Sequence, residues 1–247
     1  MSFIYHLEVE AKYCEVTGIV NKLPMYELDG ENPAIFSKPI NAALIGKHNL
    51  INFLILPSEL SKNTELGYGI KGAIKKYHNS DMTGPDQGEI VKTFSFQNIP
   101  TGIVEFDNEV FNYSSLLSKG MKIPDKGAIE PYAIKLKKLF QAGNTESILQ
   151  EFKPKLDDYA VAYNTPPEEL YSQFKDYLTT KYFPNNPILD FSDEEIFYRP
   201  WCEKRVWEIG IGPEFSEFVL TAPNDSGIEY ATKLFVGLVD GKLKIVR

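Results

Sequence analysis

Cysteine is nearly absent from this chain. Only Cys14 and Cys202 occur in 247 residues, far apart in sequence, which makes neither a disulfide framework nor a zinc-binding spacing. Two thiols of this kind suit a reducing compartment, and a cytoplasmic location is expected. Histidine is scarce too. His6, His48 and His78 are the full set, and none has a second His, Cys or paired carboxylate at ligand spacing, so no metal site is expected. No apolar run approaches the ~18 residues that cross a bilayer; the longest is about Leu50–Pro57. The opening MSFIYHLEVEAKYCE holds no basic stretch, apolar core or small-residue cleavage site, so a signal peptide is not expected there. Positive charge is also in short supply. The net charge is −8, and the basic runs Lys75-Lys76 and Lys135-Leu-Lys137-Lys138 read as solvated faces. Neither nucleic acid nor a membrane is therefore expected as a partner.

Catalytic motifs are missing in the same way. There is no G-x-S-x-G and no Cys–His pair at an arguable spacing, so nucleophilic hydrolysis has no support. Gly67-Tyr-Gly69-Ile-Lys-Gly72 matches G-x-G-x-x-G formally. A dinucleotide site needs a strand just before it and a helix opening at its third glycine. The preceding Ser58–Glu65 is polar and loop-like, so the glycines read as part of a strand. Ala73-Ile-Lys75 has no kinase catalytic loop to accompany it. Asp81, Thr83, Asp86, Gln87 and Glu89 form an oxygen-rich loop whose spacing departs from an EF-hand, and it reads as a solvated hairpin loop. Asp225-Ser-Gly227 reads as a turn. No catalytic residue, cofactor or metal ligand is assigned.

What the chain does have is apolar and aromatic side chains, 43% hydrophobic with 14 Tyr and 16 Phe, enough for sizeable cores. Residues 1–110 follow a period of two. Phe3, Tyr5, Leu7, Val9, Ala11 and Tyr13 share one parity, and Glu8, Glu10 and Lys12 the other, the mark of half-buried strand. Val16–Val20, Ile90–Phe96 and Ile103–Phe106 read as further strands. Pro39–Ile45 and Leu50–Leu56 read as two more, joined by the turn-like Gly46-Lys-His-Asn49, and Leu66, Tyr68, Ile70 and Ile74 alternate with small and charged residues. No helix is expected before residue 100. Short strands between turn signals predict an all-β antiparallel sandwich over residues 1–115.

Periodicity lapses in 111–128, where Ser, Gly, Lys and Pro concentrate, and a domain boundary is expected there. The period then becomes 3.6. Ile129, Tyr132, Ala133, Leu136, Leu139 and Phe140 define one helical face, ended by Gly143. A second helix starts at Asn144 or Thr145 and carries Ile148, Leu149, Phe152, Leu156, Tyr159, Ala160 and Tyr163; Pro154 inside it predicts a kink or break. A third starts at Thr165, with Pro166 at its first position and Glu168 completing a capping box. Strands are then expected at Glu195–Tyr198, Arg205–Ile211, Phe215–Thr221, Tyr230–Val239 and Lys242–Arg247. Asp240-Gly241 between the last two is a strong hairpin signal.

Phe235–Val239, the turn Asp240-Gly241-Lys242 and the alternating Leu243–Val246 resemble the last hairpin of the NTF2-like (cystatin-like) α+β superfamily. Leu139-Phe-Gln-Ala-Gly-Asn144 resembles the glycine-capped end of that superfamily's first helix. The resemblance covers about residues 125–247 and assigns residues 122–247 to an NTF2-like domain. It implies a cone of three helices on a curved antiparallel sheet, with a pocket between them and a sheet face that often forms homodimers. It implies no single activity, because isomerases, dehydratases and non-catalytic binding modules share the fold. The Asp base with Tyr and Asp donors used by its isomerases has no residue-by-residue counterpart here. In the first half, Lys38–Pro57 resembles a recurrent β-sandwich pattern that carries no function.

Tyr198–Ile209 is the densest mixture of aromatic and charged residues. On a strand over Arg205–Ile211, Arg205, Trp207, Ile209 and Ile211 share one face, and Val206 and Glu208 the other. Trp207 and Arg205 on a concave face would bind an anionic or aromatic ligand, or a protein partner; the alternative is a core tryptophan and an ion-paired arginine. Tyr132, Tyr159, Tyr163 and Tyr171 are candidates to aim hydroxyls into the cup. The ligand-binding set is thus Trp207, Arg205, Tyr132, Tyr159 and Glu208. The expected function is non-catalytic binding of a small molecule or a protein partner. The competing expectation is a small-molecule isomerase or lyase with Glu208 or Asp193 as base, its pKa raised by burial beside Trp207. A leader removed before position 1 would make the chain a secreted or surface adhesive module.

Overall fold

Alternation in the first hundred residues is realised as strand pairing in the computed structural model, which describes residues 3–30, 33–64, 67–78, 87–109, 114–184, 188–212 and 217–247. The fold is mixed α+β. Its Cα positions group into two units, Met1–Leu117 with Ala162–Asn164 and Ser118–Val161 with Thr165–Arg247. No helix among the described residues is long and apolar enough to cross a membrane.

The first unit contains β1 (Phe3–Lys12), β2 (Cys14–Val20), β3 (Leu23–Gly30), β4 (Ala34–Pro39), β5 (Asn49–Pro57), α1 (Glu59–Thr64), β6 (Gly69–His78), β7 (Glu89–Gln97), β8 (Thr101–Phe106) and α2 (Ser114–Leu117). They form two antiparallel sheets, in the orders β4-β1-β6-β7 and β3-β2-β5-β8. The inward parity of β1, Tyr5, Leu7, Val9 and Ala11, is at most 1% exposed. An aromatic layer joins the sheets. The Phe53 ring of β5 lies 5.0 Å from Phe94 and 6.0 Å from Phe96 of β7, and Tyr26 of β3 lies 4.9 Å from Phe36 of β4. Gly72 is a forced glycine. A Cβ on Gly72 would stand 2.0 Å from the Glu8 carbonyl oxygen and 2.7 Å from the Phe94 ring, so β6 pairs with β1 at that point only without a side chain.

Three expectations for this half are corrected. Pro39–Ile45 is not a strand: the chain leaves β4 at Pro39 and makes a 3-10 turn over Asn41–Ala43, burying Ala42, Ala43 and Leu44. The reason is the buried Asn49 just after it. Its carboxamide oxygen accepts from the Ile45 amide (2.8 Å) and Asn21 (2.9 Å), and its NH2 donates to Asn108 (2.9 Å) and the Gly46 carbonyl (3.0 Å). These partners satisfy a folded-back backbone that a strand ladder would otherwise serve. Two strands, β3 and β4, also lie in a stretch to which no element was assigned. Finally, a helix does occur before residue 100. Ser58–Glu65 is not all loop, because Ser58 caps α1, its hydroxyl accepting from the Ser61 amide at 3.3 Å. Replacing Ser58 with alanine is expected to cost about 1 kcal/mol, read as a lower urea midpoint at unchanged slope. The Asp81, Thr83 and Asp86 part of the oxygen-rich loop lies outside the described residues.

The second unit contains α3 (Glu130–Gln141), most of α4 (Thr145–Tyr163), α5 (Pro167–Tyr177), β9 (Ile196–Trp201), β10 (Val206–Ile211), β11 (Val219–Leu220), β12 (Ala231–Thr232), β13 (Leu234–Val239) and β14 (Lys242–Ile245). The order β14-β13-β10-β9 makes an antiparallel sheet, and β11 pairs with β12. Asp240 and Gly241 both take positive φ, 49° and 71°, as a two-residue hairpin turn requires. One cluster joins Ala133, Leu136 and Phe140 of α3 with Ile148 and Phe152 of α4 and with Trp207, Ile209, Val236 and Ile245 of the sheet.

Here too the structure departs from expectation. α4 runs through Pro154 without a break, as one 19-residue helix, and Phe152 and Leu156 on either side of the proline are buried in the core. Asn144 is its N-cap, accepting from the Ser147 amide at 3.1 Å. α5 opens at Pro167, after Pro166, with no side-chain cap bond. A capping box forms between Ser192 and Glu195, ahead of β9. The strand expected over Phe215–Thr221 is reduced to Val219–Leu220, with 213–216 outside the described residues, and Tyr230–Val239 divides into β12 and β13.

Candidate functional site

A cleft of about 470 Å³ opens in the second unit between α3, α4 and the β13–β14 hairpin. α3 contributes Tyr132 and Lys135, which a spacing of three places on one helical face. α4 contributes Glu151, and the hairpin Leu238, Lys242, Leu243 and Lys244; Ile123, Pro124 and Ala128 complete the wall. Glu151 is 5% exposed. Its Oε1 accepts from Lys135 Nζ at 2.7 Å, and its Oε2 from the Tyr132 hydroxyl at 2.6 Å and from Lys244 Nζ at 3.2 Å. Burial alone would push this carboxyl up, but hydrogen bonds from Lys135, Tyr132 and Lys244 outweigh it and hold the pKa below the ordinary value. The Tyr132 phenol moves the other way: burial, then the adjacent Glu151 carboxylate, push it well up. The centre is therefore an ionised carboxylate, a neutral phenol and two ammonium groups. Lys135 also stands over the Tyr132 ring, 5.6 Å from its centroid.

A left-handed turn holds one wall of the cleft in place. Cys202, Glu203 and Lys204 take φ of 48°, 56° and 69°, a run that costs an L-residue roughly 1–2 kcal/mol per position. Surrounding bonds fix it. The Ile123 amide donates to the Lys204 carbonyl (2.8 Å), Lys204 Nζ to the Pro124 carbonyl (3.0 Å), and the Arg205 guanidinium to the carbonyls of Gly120 and Cys202 (both 3.1 Å). Ile123 and Pro124, which line the cleft, are thus carried by the turn between β9 and β10.

The expected site residues separate. Arg205 precedes β10 rather than lying on it and does not share a face with Trp207. It caps the left-handed turn, pairs with Glu203 at 3.0 Å and positions the wall. Trp207 is in the core cluster, 5% exposed, its indole N–H without a hydrogen-bond acceptor among the described residues. Glu208, also 5% exposed, accepts from the Trp201 indole at 3.0 Å and lies 3.9 Å from Arg199, away from the cleft. Asp193 is half exposed and pairs with Lys137 at 2.9 Å. Tyr159 is half-buried on α4 and does not line the cleft, and the Tyr171 hydroxyl donates to Asp157 at 2.9 Å. Tyr132 is the one member of the set that the cleft contains. The histidines have local neighbours: His6 meets the Ser37 hydroxyl (3.1 Å), His48 pairs with Glu105 (2.8 Å) and His78 lies against the Phe3 ring.

Sequence reading missed Lys135, Glu151 and Lys244. Glu151 stands three residues after Ile148 and one before Phe152, at the margin of the apolar face of α4. A carboxylate there either reaches solvent or finds a cation, and only that ambiguity marks it in sequence. Comparison of the chain with protein-family models, with curated proteins and with solved structures finds no match.

Proposed function

We propose that this chain is a non-catalytic binding protein, a β-sandwich followed by an NTF2-like cone, whose ligand site is the cleft between α3, α4 and the β13–β14 hairpin. The carrying observation is an open cleft of a size typical for small ligands whose one buried carboxylate is already satisfied by its own lysines and tyrosine. Three helices preceding an antiparallel β9–β10–β13–β14 sheet, with a joint core, support the cone. The aromatic layer between the two sheets of the first unit supports the sandwich. A general base works best with a pKa near the operating pH. Glu151 is held below the ordinary carboxylate range, which argues against an isomerase or lyase that uses it. Glu208 and Asp193 lie outside the cleft lining. Both cysteines are buried thiols, which supports a reducing, cytoplasmic setting.

The test is amide chemical-shift mapping with a fragment mixture holding neutral, anionic and cationic members. Binding is expected to move the amides of 123–135 and 238–244 together. A mixture that shifts none of them, with the fold intact, rules the cleft out as a ligand site.

A further inference from the structure

We propose that the cleft takes a ligand with an oxyanion head group, a carboxylate or a phosphate monoester, on a short apolar body. This rests on the cleft being a binding site. Its described walls carry three ammonium groups, Lys135, Lys242 and Lys244, against the one carboxylate of Glu151, which leaves a surplus of two positive charges. Each ammonium has three N–H donors and no acceptor. Lys135 gives one to Glu151, and Lys244 gives two, to Glu151 and to the Gln150 carbonyl. Lys242 is exposed on β14 and makes no side-chain bond or ion pair among the described residues. Two donors of Lys135, one of Lys244 and all three of Lys242 have no protein acceptor among the described residues, on side chains that line the cleft.

Acceptors there are few, since Glu151 already receives three bonds. A cationic head group would meet charge of its own sign, and a neutral donor would find no open carboxylate. An oxyanion finds donors from α3 and from β14, and bonds to charged donors are the stronger kind. Lysine presents a compact point charge on a flexible stem, suited to a head group of variable orientation rather than to planar bidentate recognition. The remaining wall, Ile123, Leu238 and Leu243, is apolar and receives the body.

Isothermal titration at low salt with hexyl phosphate, hexanoate, hexanol and hexylamine tests this. Hexyl phosphate or hexanoate is expected to bind at least about tenfold tighter than hexanol, with hexylamine weakest, because one bond to a charged donor is worth about a factor of ten. Added salt is expected to weaken the anions only. Lys135→Met is expected to cost the anions about tenfold, and Lys242→Met, at an exposed position where folding is not at stake, about threefold. A preference between the two anions identifies the head group. If hexanol or hexylamine binds as tightly as hexanoate, or if both lysine variants bind anions like the parent, the head-group assignment is overturned. Fragment-induced shifts of the cleft amides would in that case still uphold the binding site. If those shifts are absent as well, both proposals fall.

Discussion

Truncating Phe53 to alanine is expected to destabilise the protein by about 3–5 kcal/mol, the range for removing a fully buried aromatic ring. The ring is 1% exposed, and its neighbours come from both sheets: Phe94 at 5.0 Å, Phe96 at 6.0 Å and Tyr26 at 6.5 Å. Its loss forfeits transfer free energy and leaves a cavity. Backbone pairing on every side keeps the sheets from closing over that cavity, because β5 is held between β2 and β8. The aromatic contacts add roughly 0.5–1.5 kcal/mol per pair beyond burial. Phe53→Leu, which keeps most of the volume, is expected to lose less than half as much. Chemical denaturation followed by far-ultraviolet circular dichroism measures both. A loss below about 1 kcal/mol for the alanine variant would mean that this aromatic layer does not carry the first core.

Replacing Glu151 with alanine is expected to cost about 2–3 kcal/mol. Breaking a buried ion pair costs about 3–5 kcal/mol. The figure is reduced here because Lys135 is 53% exposed and regains water. The Tyr132 hydroxyl, in contrast, is left buried without its acceptor. Trp201 and Trp207, the two tryptophans of the chain, both lie in the second unit, so indole fluorescence follows the transition there. The effect depends on pH with a definite sign. The folded-state pKa of Glu151 lies below its ordinary value of 4.5, so its contribution is complete above about pH 4.5 and fades as pH falls through the folded value. The gap between the parent and Glu151→Gln should therefore be constant from pH 5 to 7 and should narrow below about pH 4.5. A gap that widens on acidification would contradict the hydrogen-bonded, ionised carboxylate.

Much of the fold was legible in local pattern, and the exceptions have physical causes. β1 was readable because one parity of side chains is apolar and the other charged, and α3 because its apolar positions recur every three or four residues. Asp240-Gly241 was readable because few residue pairs tolerate two successive positive φ angles. Pro39–Ile45 misled because an apolar run states only that residues are buried. Whether they are buried in a strand or a 3-10 turn was decided by Asn49, whose partners Asn21 and Asn108 are 28 and 59 residues away. Pro154 did not end α4 because propensity counts the bond a proline removes and not the packing of the helix's apolar face into the core. Arg205 misled because strand parity was extended one residue too far, into a left-handed turn built from Cys, Glu and Lys with no glycine to announce it.

By itself, the sequence determined where side chains alternate along β1, where the apolar face of α3 recurs and where the last hairpin turns, because each of these is a property of neighbouring residues. The cleft was decided only by tertiary structure. Glu151 meets Lys135 across 16 residues and Lys244 across 93, and a charge on another helix or on a strand of the sheet leaves no mark on the pattern around it. Coulomb attraction and hydrogen bonding act through space, so which of the many surface lysines became a wall of the site was settled when α3, α4 and the last hairpin closed on one core.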